Sequence, residues 1–123
     1  MADRIERRRR EAAGRAAEAV AATLLRLKGF RILARRFRSP VGEIDIVARR
    51  GRLVAFVEVK VRGDLATAGE SVGARQQWRI ARAAATFLQK RPELQQLDQR
   101  FDVILLAPWR LPLHISGAWR EHS

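Results

Sequence analysis

The sequence predicts a single α/β domain, a mixed sheet of four to five strands flanked by helices, and three observations point to it. Apolar residues recur at helical spacing over 12–28 and again over 76–90. Runs rich in Val, Ile and Phe lie between and after those stretches, with the alternation of half-buried strands. The resulting order is helix, three strands, helix, strand, with a further short strand near the end. At 123 residues the chain has room for one core and little room for a second.

Residues 1–11 read as a basic N-terminal arm, 12–119 as the domain and 120–123 as a tail. In the first helix Val20, Leu24 and Leu27 fall at helical spacing, and Gly29 is a natural stop. Glu18 shares a side of that helix with Ala21, Ala22 and Leu25, so its carboxylate lies at a solvated edge or is aimed at a partner. FRILARRF (30–37) alternates as a strand and is broken by Ser39-Pro40. EIDIVARR (43–50) and RLVAFVEVKVR (52–62) form the next two, joined at Gly51 as an antiparallel hairpin. Residues 62–75 lack periodicity and read as a long loop. In the second helix Ile80, Ala84, Phe87 and Leu88 make the inner face. After a polar connection over 91–100, FDVILLA (101–107) is a nearly continuous apolar run, as in a strand covered on both faces, and LPLHIS (111–116) adds a short final one.

Charge narrows the function. Twenty-five Lys and Arg against thirteen Asp and Glu give +12, and the basic residues cluster at 7–10, at Arg35, Arg36 and Arg38, and at Arg49, Arg50 and Arg52. Such a surface attracts polyanions, nucleic acid first among them. The chain has no cysteine, which excludes disulfides and thiolate metal sites. No apolar run is long enough to span a bilayer, and the basic N-terminus lacks an apolar signal core. A cytoplasmic protein without a membrane partner is expected.

The hairpin carries the chemistry. Glu43, Asp45, Glu58 and Lys60 interrupt its apolar runs, and charged side chains are rarely buried without a partner or a ligand. Strand alternation puts Glu43 and Asp45 on one face with Ile44 and Ile46 on the other, and Glu58 with Lys60 on one face of the next strand. Pairing around Gly51 brings Asp45 and Glu58 to the same end, where two carboxylates repel unless a cation lies between them. One of only three lysines falls beside them. A salt bridge on a solvated face is the plain alternative. The functional reading is a Mg²⁺ or Mn²⁺ site for phosphodiester hydrolysis, with Asp45 and Glu58 as hard oxygen ligands and Lys60 working on the attacking water or the phosphate.

The spacing of Asp45 and Glu58-Val59-Lys60 resembles the signature of the PD-(D/E)xK nuclease superfamily. GRAAEAVAATLLRLKGFRIL, GEIDIVA, FVEVKVR and RFDVILL, in this order, resemble the YraN family of small bacterial proteins over nearly the whole chain from Gly14 to Trp119. That family is described as uncharacterised and nuclease-like, and is similar to archaeal Holliday junction resolvases. The resemblance implies the restriction-endonuclease-like fold, action on DNA including branched DNA, and a homodimer by analogy. It also implies that Glu18 joins the metal site directly or through a water. The superfamily's Pro-Asp dipeptide is absent, since Ile44 precedes Asp45. Where the family has a lysine at the start of the second helix this chain has Gln76, which implies a hydrogen-bonding group without the charge, and weaker activity.

Arg35, Arg36, Arg38, Arg62, Arg75 and Arg79 are the expected phosphate contacts, with solvated arginines as the alternative. His114 and His122 have no companions at zinc-ligand spacing. Asp102 reads as a hydrogen-bonded strand-end aspartate. Trp78, Trp109 and Trp119 are read as core or interface anchors in preference to base-stacking groups. A nucleic-acid-binding module of the same fold, without hydrolysis, is the second reading.

Overall fold

The computed structural model describes residues 2–61, 72–108 and 110–120. Helix α1 (Ala2–Leu27) is followed by strands β1 (Arg31–Ser39), β2 (Gly42–Arg50) and β3 (Leu53–Val61). Helix α2 (Ala74–Gln89), a short 3-10 turn (Pro92–Leu94) and strands β4 (Asp98–Leu106) and β5 (Leu113–Trp119) complete the chain. The strands form one sheet in the order β1-β2-β3-β4-β5. All neighbours are antiparallel except β3 and β4, which run parallel, with α2 in the connection between them. This is the five-stranded mixed sheet flanked by helices that the sequence predicts, and it is consistent with a restriction-endonuclease-like fold.

Helix α1 runs unbroken through the boundary expected at residues 11–12. It ends where Gly29, at φ 90, lets the Phe30 N–H reach the Leu25 carbonyl (2.9 Å) and its own N–H reach that of Arg26 (3.0 Å). That pair of bonds is a Schellman stop, and a left-handed residue is needed to make it. The helix is buried along Ala17, Ala21, Ala22 and Leu25, whose small size brings its backbone close to Ile46, Ala48, Ala55 and Val57 of the sheet. Of Val20, Leu24 and Leu27, the stripe given by spacing, Leu24 packs partly buried against the sheet and Val20 and Leu27 are exposed.

Helix α2 covers the other face, with Ile80, Ala83, Ala84, Phe87 and Leu88 buried against Ile44, Val47, Val54, Phe56 and Phe101. It lies so close to the start of β2 that a Cβ on Gly42 would come within 2.4 Å of the Arg79 carbonyl oxygen. Only glycine fits there. The connection at 91–100 is shorter than its polar composition suggests, because pairing with β3 draws Asp98, Gln99 and Arg100 into β4.

Both edge strands are irregular. The register of β1 on β2 slips between Ile32 and Ala34, and that of β5 on β4 slips between Phe101 and Val103, near Gly117 at φ 61.

Candidate functional site

The site begins with a change of phase in β1 and β2. In regular strands Ile44 and Ile46 share a face, but here Ile44 packs under α2 while Ile46 packs under α1. Their partners are Phe37, which lies in the α2 layer, and Arg35, which reaches Glu18 of α1. Both strands therefore turn over at the level of Arg36 and Asp45, which the register sets opposite each other. Arg36 holds φ 54 to do so, a conformation that costs a non-glycine residue about 1–2 kcal/mol. The common-face expectation for Ile44 and Ile46 fails for this reason.

The turnover aims Asp45 sideways. Pairing of β2 with β3 stops at Ile46–Val57, and the Asp45 carboxylate takes over by accepting the Val59 N–H on Oδ2 at 2.8 Å. Asp45 thus sits in the seam where the two strands separate, and it lines a cleft on each side of it.

The α2-side cleft, about 570 Å³, is lined by Asp45, Glu58 and Gln76 together with Arg38, Glu43 and Arg79. Glu58 is 7% exposed. Burial first, then the hydrogen bond to Asp45 and its charge, push the Glu58 carboxyl up to about 9; Lys60 pulls the other way, its Nζ 4.0 Å from Glu58 Oε1. A carboxyl raised this far keeps its proton at neutral pH, and a cation is the alternative to that proton. The Ser39–Gly42 turn closes one side, with Ser39 Oγ accepting the Val41 and Gly42 N–H groups and donating to the Gly42 carbonyl. Ser39-Pro40 is visible in the sequence as a strand break; its place in the wall of the cleft is not.

The α1-side cleft, about 400 Å³, is lined by Arg15, Glu18, Arg36, Arg38, Glu43 and Asp45 among others. Glu18 is aimed at a partner, as its place on the helix allows, and the partners are guanidiniums. Its Oε1 accepts from Arg35 Nε at 3.3 Å and its Oε2 from Arg36 Nε at 3.0 Å. Among the described residues no three acidic or histidine side chains form a metal-binding group; Glu18 shares the α1-side cleft with Asp45, while Glu58 lines the α2-side one. Two of the expected phosphate contacts, Arg35 and Arg36, are occupied by the same pairing. Arg38 is largely exposed, 3.7 Å from Glu43, and Arg75 and Arg79 are exposed on α2. Arg62, Trp109 and His122 lie outside the described residues.

Asp102 belongs elsewhere. Fully buried in β4, it accepts from Arg100 Nε and Nη2 (2.8 and 2.9 Å), the Gly117 N–H (3.0 Å) and His114 Nε2 (2.8 Å). Lys28 donates to His114 Nδ1 at 2.9 Å, which leaves the imidazole proton on Nε2. Burial draws the Asp102 carboxyl upward, and the hydrogen bonds from His114, Arg100 and Gly117 outweigh it, leaving it at about 2. This network ties β5 and the end of α1 to β4, and Asp102 lines neither cleft described above.

Trp119 stacks on Phe101 at 5.2 Å and 12° as an anchor of the core. Trp78 departs from that expectation: it is 58% exposed.

Comparison with known proteins gives a consistent result. The family described as "Uncharacterised protein family UPF0102" matches residues 17–106. A UPF0102 protein of Paramagnetospirillum magneticum is 57% identical over 111 residues, covering 87% of this chain and 86% of its own. One from Parvibaculum lavamentivorans is 53% identical over 107 residues, covering 87% and 80%. One from Nitrobacter winogradskyi is 55% identical over 107 residues, covering 87% and 91%.

Proposed function

The chain belongs to the UPF0102 family, within the restriction-endonuclease-like nuclease superfamily, and from that premise we propose that it is a metal-dependent endonuclease hydrolysing phosphodiester bonds in DNA, branched DNA included. The observation that carries this reading is the meeting of Asp45 and Glu58 in one cleft, with Lys60 beside Glu58.

The donor set is two carboxylates without nitrogen or sulfur, which fits Mg²⁺ or Mn²⁺ held by Asp45 and Glu58. When bound, such an ion lowers the pKa of a coordinated water and offsets charge on the phosphate. The protein's own groups do the rest. The Val59 N–H fixes the direction of Asp45. Lys60 orients the attacking water or meets negative charge building on the phosphate, as a preorganised cation in a partly dry site. Gln76, on the opposite wall, supplies hydrogen bonds where a lysine would supply charge. Arg38 and Arg79 line the same cleft and draw the phosphate backbone into it, with Arg75 next along α2. Binding is then steeply dependent on salt. A homodimer suits a two-fold branched substrate. No helix among the described residues is long and apolar enough to cross a membrane, and the proposed setting is the cytoplasm.

The test is cleavage of labelled linear, single-stranded and four-way-junction DNA with Mg²⁺ or Mn²⁺, at low salt and with a chelator control. Metal-dependent cutting by the wild type, lost in Asp45→Ala and Lys60→Ala, supports the proposal. Equal binding by all three proteins with no cutting of any form favours the second reading, a binding module without hydrolysis, for which the uncharged Gln76 speaks.

A further inference from the structure

Trp78 is the one large apolar side chain exposed on α2, and its surroundings are strongly basic. Trp and Arg occur together at protein interfaces as well, so the choice of partner rests on the charge around the ring. Here the neighbours are Arg75, Arg79 and Arg82, at i−3, i+1 and i+4, and none of them forms an ion pair among the described residues. The Arg82 guanidinium lies 5.7 Å from the centre of the Trp78 ring, on a chain carrying +12. An exposed indole flanked by arginines that have no acidic partner among the described residues matches polyanionic, aromatic chemistry: phosphates for the guanidiniums and a base for the ring. The position matters as well. Arg79, the next residue, and Gln76, two residues back, line the cleft that holds Asp45 and Glu58.

We propose that Trp78 is a stacking platform for an unpaired nucleobase, so that the protein prefers DNA with single-stranded or unpaired nucleotides beside the cleft over continuous duplex. A base inside a duplex is stacked on both sides and offers no free face to the indole, whereas an unpaired one does. The inference rests on the cleft being where the backbone lies, and it specifies the form of DNA that the cleft takes.

Binding measured with a chelator present separates this from hydrolysis. Fluorescence anisotropy would follow labelled oligo-dT and a duplex of equal length over a series of salt concentrations, using the full chain. Wild type binds the single strand more tightly. Trp78→Ala loses about tenfold or more of that affinity, the scale of one stacked base, and keeps its duplex affinity. Trp78→Phe, which retains a ring, keeps most of it. Arg75→Ala and Arg82→Ala weaken both DNA forms and each lowers the salt slope by about one. Oligo-dT quenches tryptophan emission in the wild type and much less in Trp78→Phe. The inference is overturned if Trp78→Ala binds single strands as the wild type does, or weakens single strand and duplex equally. Neither result bears on hydrolysis, which Asp45→Ala tests; a cutting enzyme with no single-strand preference sinks this inference alone.

Discussion

Arg36 and Asp45 face each other across β1 and β2 at the one level where both strands turn over. That pairing sets the direction of the Asp45 carboxylate, in the plane of the sheet and toward β3, where it meets the Val59 N–H. Asp45 consequently has two duties, and two substitutions separate them. Asp45→Asn keeps an acceptor for Val59, while Asp45→Ala leaves that N–H without one. Both are expected to lose metal-dependent cleavage. Asp45→Asn should be the more stable by about 1 kcal/mol, read from denaturant unfolding.

Glu58 makes stability depend on pH. Its folded value of about 9 lies above the ordinary 4.5, chiefly through burial and the Asp45 carboxylate. A group raised in this way contributes its full stability below the unfolded value, and the contribution disappears as pH climbs through the folded one. With a chelator present, the melting temperature of the wild type should fall relative to Glu58→Gln between about pH 5 and pH 9. Saturating Mn²⁺ should remove that fall, with release of a proton on binding near neutral pH. A chelated wild type that tracks Glu58→Gln throughout would show that Glu58 does not keep its proton.

Glu18 is set to hold arginines. Glu18→Gln should leave Mn²⁺ affinity, measured by calorimetry, within about twofold of wild type. It should lower stability by roughly 1–3 kcal/mol, because a buried carboxylate with two guanidinium partners is lost. Nonspecific DNA affinity at low salt should rise as Arg35 and Arg36 become available to phosphate. A tenfold fall in Mn²⁺ affinity would instead make Glu18 a ligand.

Asp102 titrates in the opposite direction from Glu58. Its folded value of about 2 lies below the ordinary 3.8, so its contribution is present above the unfolded value and is lost as pH falls from about 4 to 2. The shift corresponds to about 2 kcal/mol. Asp102→Ala should cost about 3–5 kcal/mol, since Arg100 and His114 lose their shared partner inside the fold. Cleavage per folded molecule should be unchanged. Loss of turnover in a folded variant would move Asp102 into the catalytic machinery.

The layers of this fold are legible in the sequence because they rest on period. The 3.6-residue pattern of Ile80, Ala84, Phe87 and Leu88 and the apolar run of Phe101–Leu105, broken only by Asp102, each have one reading. Asp45, Glu58 and Lys60 stand out because they are charges in an apolar hairpin. What period cannot express is a break in itself. The turnover at Arg36 depends on a positive φ in a residue that seldom adopts one, so Ile44 and Ile46 look equivalent in the sequence and are not. Helix α1 misleads through size: Val20 and Leu27 are large and apolar, yet Ala17, Ala21 and Ala22, together with Leu25, face the sheet. Trp78 misleads through average behaviour, as most tryptophans are buried. Its arginine neighbours were the available signal.

The irregular edges of the sheet bear on how copies of this chain can meet. A free strand presents a row of N–H and C=O groups that can template another chain. Here β1 carries a register slip, the left-handed Arg36 and a row of arginines, and β5 carries a slip beside Gly117. A second copy adding its strand to either side would have to straighten a bulge and, at β1, bring guanidiniums against guanidiniums. Crowding on a long polyanion, where a basic protein reaches high local concentration, therefore does not favour strand-to-strand polymers. Pairing of strand edges is the least favoured way for two copies of this chain to meet.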